Sequence, residues 1–182
     1  RSARTRRSRP GTPQLYERVP RGAGGEDNAF VYVSSSPWNL HGFLEAFLRH
    51  TGLPVGPLFL RDFGVDEDKF ISGTHDDHKQ KTIESLLDLH DQPFVLIGDT
   101  GQHDPEIYRA LALSVPSRID GIFLRHVADD NRAADVESMF GDVVPPMAIG
   151  ADSAELAAAA EAAHLIPPGW SAQVAAASDP RV

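Results

Sequence analysis

The chain has 182 residues, 41% of them hydrophobic and 24% charged, with a formal net charge of −9 and no cysteine. Its length suits one soluble domain with a full core. The missing cysteines exclude disulfides and cysteine-ligated zinc, and the acidic balance sets the overall field against nucleic acid. No apolar run reaches the roughly 18 residues that a membrane-spanning helix needs, and none follows the basic N-terminus as a signal peptide requires.

Arg1, Arg4, Arg6, Arg7 and Arg9 crowd the first nine residues. A solvated segment is the plain reading of such a cluster, and contact with anionic lipid or phosphate is the other. A short helix is expected near residues 14–19 and a loop, RGAGGEDN, after it, so residues 1–28 form a basic N-terminal segment. FVYV, residues 30–33, is a strand. In the helix that follows, Leu40, Phe43, Leu44, Phe47 and Leu48 recur at i, i+3, i+4, i+7 and i+8 as one apolar stripe, which Gly52 and Pro54 end. GPLFLRDF, residues 56–63, is a second strand, and residues 61–76 read as a polar loop inserted over one face. HKQKTIESLLDLH, residues 78–90, is helical, with Ile83, Leu86 and Leu87 inward and Leu89 a further inward candidate.

PFVLIGD, residues 93–99, is a third strand. DPEIYRALALSV, residues 104–115, is a helix whose first turn accepts Pro105. IDGIFLRHV, residues 119–127, is a fourth strand, VPPMAIG, residues 144–150, a candidate fifth, and SAELAAAAEAAHLI, residues 153–166, an alanine-rich helix. The main domain is therefore expected over residues 29–166, with a disordered tail over 167–182.

Strands that alternate with helices and are apolar along most of their length imply an α/β fold with a parallel sheet covered on both faces. Ligands of such folds sit beyond the carboxyl ends of the strands, here just after Val33, Leu60, Ile97 and Leu124. After the first strand come Ser34, Ser35, Ser36 and Pro37. Pro37 fits a first helical position and Ser36 an N-cap, which leaves Ser34 facing a helix N-terminus that favours an anion. Turn chemistry alone also explains a run of serines.

After the third strand, Gly98 permits close backbone approach, Asp99 is a carboxylate without capping duty, and Asp104 follows five residues on. Two such carboxylates beside a polar loop can hold Mg²⁺, although Asp104 before Pro105 is also a good N-cap. HDDHKQK, residues 75–81, matches no short zinc spacing and reads as a solvated loop before a helix. Lys79 and Lys81 within it could screen phosphate charge if their helix packs beside the strand tips.

Taken in order, ARTRRSRPGTPQLY, FVYVSSSPWNL, GPLFLRDFG, the His78-Lys79 pair before a helix and FVLIGDTGQHDPEIY resemble the haloacid dehalogenase (HAD) superfamily of phosphohydrolases. Within it, the chain is most similar to the catalytic domain of the actin-patch type of Mg²⁺-dependent phosphatidate phosphatase and its bacterial relatives, over about residues 3–127. The resemblance implies a HAD-like Rossmannoid three-layer sandwich with a mainly parallel sheet. It gives Ser34, with Ser35 beside it, the phosphate-binding role, Lys79 the neutralisation of phosphate and nucleophile, and Asp99 with Asp104 the Mg²⁺ ligands.

The superfamily's nucleophile motif, Asp-x-Asp-x-Thr at the end of a strand, has no counterpart here. DEDKF, with Asp66 and Asp68, follows no hydrophobic strand and carries Phe in place of Thr. The resemblance implies that this motif and the central strand bearing it precede the segment like Arg4–Tyr16. This chain is expected to lack that strand, to expose apolar surface between its neighbours, and to be inactive alone.

The implied activity of the complete protein is hydrolysis of phosphatidate to diacylglycerol and phosphate through an aspartyl-phosphate. A HAD phosphatase for another phosphomonoester and a non-catalytic phosphate-binding module are the alternatives. The implied partner is a phospholipid or other phosphomonoester. The expected location is cytoplasmic, with residues 61–76 and the basic N-terminal run as the places of peripheral membrane approach.

Overall fold

The computed structural model describes residues 11–22, 24, 28–61, 75–127 and 132–178. The elements in chain order are α1 (Thr12–Arg18), β1 (Tyr32–Pro37), α2 (His41–Thr51), β2 (Leu58–Arg61), α3 (His75–Leu89), β3 (Phe94–Asp99), α4 (Asp104–Ser114), β4 (Ile119–Arg125), α5 (Arg132–Met139), β5 (Met147–Gly150), α6 (Ser153–Ala162) and α7 (Trp170–Ser178). Single 3₁₀ turns lie at Val19–Arg21, Trp38–Leu40 and Pro116–Arg118.

β4 explains the layering. Its alternate side chains go to opposite faces, and both faces are covered. Ile122 and Leu124, fully buried, join Ile83, Leu96, Ile107, Leu111 and Val136 under α3, α4 and α5. Phe123 points the other way, into a second core with Leu15, Leu156, Ala157 and Val174 from α1, α6 and α7 and Ile166 from the connection between the last two. The result is the α/β sandwich with parallel strands that the apolar strand pattern predicts.

The sheet is interrupted. Among the described residues, β1 pairs in parallel with β2, and β3, β4 and β5 form a separate parallel ladder in that order. No strand pairing among the described residues joins the two ladders. Val33 of β1 nevertheless packs against the core under β3 and β4, and α3 lies on both β1 and α4.

Four expectations need correction. The tail from Pro167 is not disordered: residues 170–178 form α7, whose Val174 is fully buried. Glu161 anchors its start by accepting the backbone N–H groups of Gly169 and Ser171, each at 2.8 Å. The other end abuts Gly11, where a Cβ would meet the Ser178 hydroxyl. The first strand begins at Tyr32 and runs through the serines to Pro37. Leu89, the last residue of α3, is 77% exposed because the helix has by then passed the core. Residues 75–77 belong to α3 rather than to a loop before it. Most of the expected polar loop, including Asp66 and Asp68, and the first ten residues with their arginine cluster lie outside the described residues.

Candidate active site

The serines leave the ladder at a bulge. Register runs Tyr32 to Leu58, Val33 to Phe59 and Ser34 to Leu60, then skips to Pro37 opposite Arg61. Two extra residues, Ser35 and Ser36, are thus pushed out of the pairing, a device common beside functional sites. Ser34 Oγ accepts the Ser36 backbone N–H at 3.1 Å and donates to Ser36 Oγ at 3.0 Å. Ser36 is not an N-cap. Pro37 stays extended (φ −67°, ψ 148°), and the 3₁₀ turn begins at Trp38.

β3 ends in a tight turn that delivers two carboxylates. Asp99 Oδ1 accepts the Gly101 N–H at 2.8 Å. Thr100, fully buried, donates its N–H to the Arg125 carbonyl at 2.9 Å, and its hydroxyl accepts the Val127 N–H at 3.2 Å, which locks the turn to the end of β4. Asp104 is the first residue of α4 and not its cap, which is His103. Its carboxylate turns back over Gly98 and accepts the Asp99 N–H on Oδ2 at 3.2 Å. A Cβ at Gly98 would collide with it, Asp104 Cβ lying 2.9 Å away.

The other oxygen of Asp104 forms a short ion pair with Lys79 Nζ. Both side chains are nearly buried, at 12% and 8% exposure. Lys79 therefore reaches the strand tips from the first half of α3, as expected. Burial, and then the positive charge of Arg61, push the pKa of its neighbour His78 below the usual imidazole range. Its Nε2 has no hydrogen-bond partner among the described residues.

These groups surround one cavity of about 420 Å³, within the usual range for ligand sites. Ser34, Ser35 and Ser36 form one wall, Gly101 through Asp104 a second, and Lys79 and Arg132 supply cations. Ile107 is the one aliphatic side chain in the lining. Asp99 does not line this cavity; it stands behind the Gly101 turn, tied to Asp104 through its own N–H. Ser34, Ser35, Lys79 and Asp104 thus converge from three distant segments, with Asp99 adjoining.

Arg132 escaped the sequence reading. It opens α5, and Glu106 holds it through a 2.6 Å ion pair. Its position a few residues beyond the carboxyl end of β4 was the available signal.

Asp104 lines the cavity beside His103, Lys79 and Arg132, and Asp99 adjoins it; carboxylate oxygens are the ligand type that a hard cation such as Mg²⁺ takes. No cluster of three or more His, Cys, Asp or Glu suited to a metal occurs among the described residues. No described helix is long and apolar enough to cross a membrane.

Comparison with known proteins bears on the same segments. Residues 1–126 match the family described as phosphatidate phosphatase APP1, catalytic domain. An uncharacterized protein of Schizosaccharomyces pombe is 35% identical over 105 residues, 57% of this chain and 17% of that one. Phosphatidate phosphatase APP1 of Saccharomyces cerevisiae is 33% identical over 113 residues, 62% of this chain and 19% of that one. The chain thus spans less than a fifth of the length of these relatives. No solved structure matches. The matched segment contains β1, the lysine of α3, the β3–α4 turn and β4, all of the cavity wall except Arg132, and the chain belongs to the phosphatidate phosphatase APP1 catalytic-domain family.

Proposed function

We propose that this chain is the phosphate-handling part of a Mg²⁺-dependent phosphatidate phosphatase of HAD type, a cytoplasmic protein that works at a membrane surface. The observation that carries the reading is the meeting of the Ser34–Ser36 bulge, Lys79 and the Asp99–Asp104 turn at one cavity. Hydroxyls and main-chain N–H groups of the bulge receive phosphoryl oxygens. Lys79 and Arg132 offset their charge, and in a site shielded from water such fixed charges count for more than in bulk. Asp99 and Asp104 would hold Mg²⁺, which when bound supplies further charge neutralisation at the phosphoryl group.

The nucleophile is assigned to an Asp-x-Asp-x-Thr strand preceding this segment in the longer protein, with the break between the two ladders as the place it enters. Its first Asp forms the bond to phosphorus as the glycerol oxygen leaves, and its second gives that oxygen a proton. Water then cleaves the aspartyl-phosphate, and the products are diacylglycerol and phosphate.

Phosphate release from phosphatidate in mixed micelles, set against soluble phosphomonoesters, tests this in the protein that carries the upstream strand. Preference for phosphatidate and dependence on Mg²⁺ are expected. Faster turnover of a soluble phosphomonoester would move the assignment to another HAD phosphatase. The 182-residue chain alone should bind inorganic phosphate and turn nothing over; metal-dependent turnover by it would mean that the nucleophile lies within it. A second reading, a non-catalytic phosphate-binding module, draws on the one carboxylate that lines the cavity among the described residues, Asp104, being tied up by Lys79. Absence of the upstream motif from the coding sequence would decide for it.

A further inference from the structure

Trp38 is 58% exposed and Leu40 39%, both on the 3₁₀ turn that leaves the serine bulge. The Trp38 ring leans on the His41 imidazole, centroids 4.9 Å apart, and its remaining surface faces outward. Ser36 lines the cavity two residues earlier, so the Cα atoms of Ser36 and Trp38 lie within about 7.6 Å of each other. Of the other large exposed side chains, Phe59 lies on β2 opposite Val33, the residue before Ser34. Leu89 and Leu113 lie at the far ends of α3 and α4, about 14–15 Å along the helix axes from Lys79 and Asp104, the residues of those helices that line the cavity.

The cavity itself is a poor host for acyl chains, since serines, Lys79, Gln102, His103, Asp104 and Arg132 dominate its lining. A phosphatidate molecule placing its phosphate there must keep its apolar end at the mouth. Tryptophan favours the boundary between headgroups and acyl chains. The net charge of −9 opposes adsorption to an anionic bilayer by bulk electrostatics, so local contacts must supply the docking. We infer that Trp38 and Leu40 form a lipid-facing ledge that seats in the bilayer interface and steers phosphatidate, phosphate first, into the serine cavity. This rests on the phosphatidate reading above.

The chain has two tryptophans, Trp38 and Trp170, so Trp170→Phe leaves Trp38 as the single indole reporter. The probes are phosphatidylcholine vesicles with brominated acyl chains, carrying phosphatidate, an equal charge of phosphatidylglycerol, or neither. Phosphatidate vesicles should blue-shift and quench Trp38 most. Trp38→Ala and Leu40→Ser in the otherwise native chain should each weaken vesicle partition, the first by about tenfold or more, with thermal melting showing that both variants remain folded.

Unquenched Trp38 on phosphatidate vesicles, or undiminished partition of Trp38→Ala, overturns the ledge. If inorganic phosphate still binds in a Lys79-dependent way, the phosphate reading survives that failure. Equal quenching by phosphatidylglycerol overturns the proposal through the reading on which it rests. Partition that collapses with salt and ignores Trp38 would assign docking to the arginine-rich N-terminus and overturn it as well.

Discussion

Replacing Lys79 by methionine is the sharpest probe of the site, because it separates a buried ion pair from a decorative one. Lys79 and Asp104 are 12% and 8% exposed, so the substitution leaves a nearly buried carboxylate that keeps the backbone N–H of Asp99, at 3.2 Å, as its donor. Removing one member of such a pair costs about 3–5 kcal/mol. Against a total stability of about 5–15 kcal/mol that is a large share. For a chain of this size each kcal/mol moves the melting temperature by about 2–4 °C, so Lys79→Met should lower it by roughly 6–20 °C.

An internal control sits on α2. Arg49 and Glu45 form a 2.8 Å pair with side chains 61% and 41% exposed, and Arg49→Ala should cost no more than about 0.5 kcal/mol. Adding Asp104→Leu to Lys79→Met should recover much of the loss, since an apolar pair replaces an uncompensated charge. Urea titration followed by far-UV circular dichroism, with calorimetry for the melting temperature, measures all four proteins. A loss below about 1 kcal/mol for Lys79→Met, or no coupling in the double variant, would refute the buried-pair argument. Inorganic phosphate should raise the melting temperature of the native chain by mass action and leave Lys79→Met unmoved.

Gly98→Ala should cost about 1–3 kcal/mol by overpacking and abolish phosphate-dependent stabilisation, because the new Cβ collides with Asp104 near the start of its side chain; a folded variant with native phosphate binding would sink this. All three tyrosines titrate late: burial above all pushes Tyr16 up to about 12 and raises Tyr32 and Tyr108 above the ordinary phenol value. The folded chain keeps these protons when the unfolded chain loses them, so stability should be intact below pH 10 and fall as pH rises through 10 to 12. Phenolate absorbance should show no titration near pH 10 while the chain is folded. Val174→Asp should destabilise by more than about 3 kcal/mol, since Val174 is fully buried in the second core; a neutral effect by urea titration would return α7 to the status of a loose tail. Asp99→Asn, in the longer protein with its nucleophile strand, should cut turnover by orders of magnitude and weaken Mg²⁺ dependence, and near-normal phosphate release would remove Asp99 from the site.

The parts of this fold that were legible in the sequence are those with strong local period. Residues 119–125 spell a strand buried on both faces, and the stripe of Ile83, Leu86 and Leu87 spells a helix face; both are as read. The serine stretch misled because Ser-Ser-Pro has the composition of an N-cap, while the parallel pairing with β2 extended the strand through it and resolved the surplus as a bulge. Helix α7 was missed because WSAQVAAAS has no apolar stripe; long-range partners, Glu161 at its start and Leu15 beside Val174, hold it in place. The N-cap alternative for Asp104 is not what the chain uses: His103 is the cap position, and Asp104 is the first helical residue. Its carboxylate folds back over Gly98, a close approach that the glycine hinted at without naming the guest. Arg132 carried one weak signal, its place beyond the carboxyl end of β4, and no motif marks it among the other arginines.

The cavity lies at the seam between the two ladders, and that location has an energetic consequence. Ser34–Ser36 belong to the β1–β2 ladder, Gly101–Asp104 to the end of the β3–β5 ladder, and no main-chain bonding among the described residues joins the two. What holds them is indirect. Helix α3 rests on β1 and α4, and an aromatic chain runs from Tyr16 of α1 to Phe30 at 5.4 Å and on to Tyr32 at 4.8 Å. An anion seated between the serines and the Gly101–Asp104 turn would bond to both halves at once. Its binding free energy would then appear partly as closure of the seam, which makes this region the place where ligand should most reduce backbone hydrogen exchange. Protection on adding inorganic phosphate is expected in β1 and in the β3–α4 turn together, since each wall alone offers only half of the contacts. Protection confined to one of them would mean that phosphate uses a single wall and that the two ladders are not bridged.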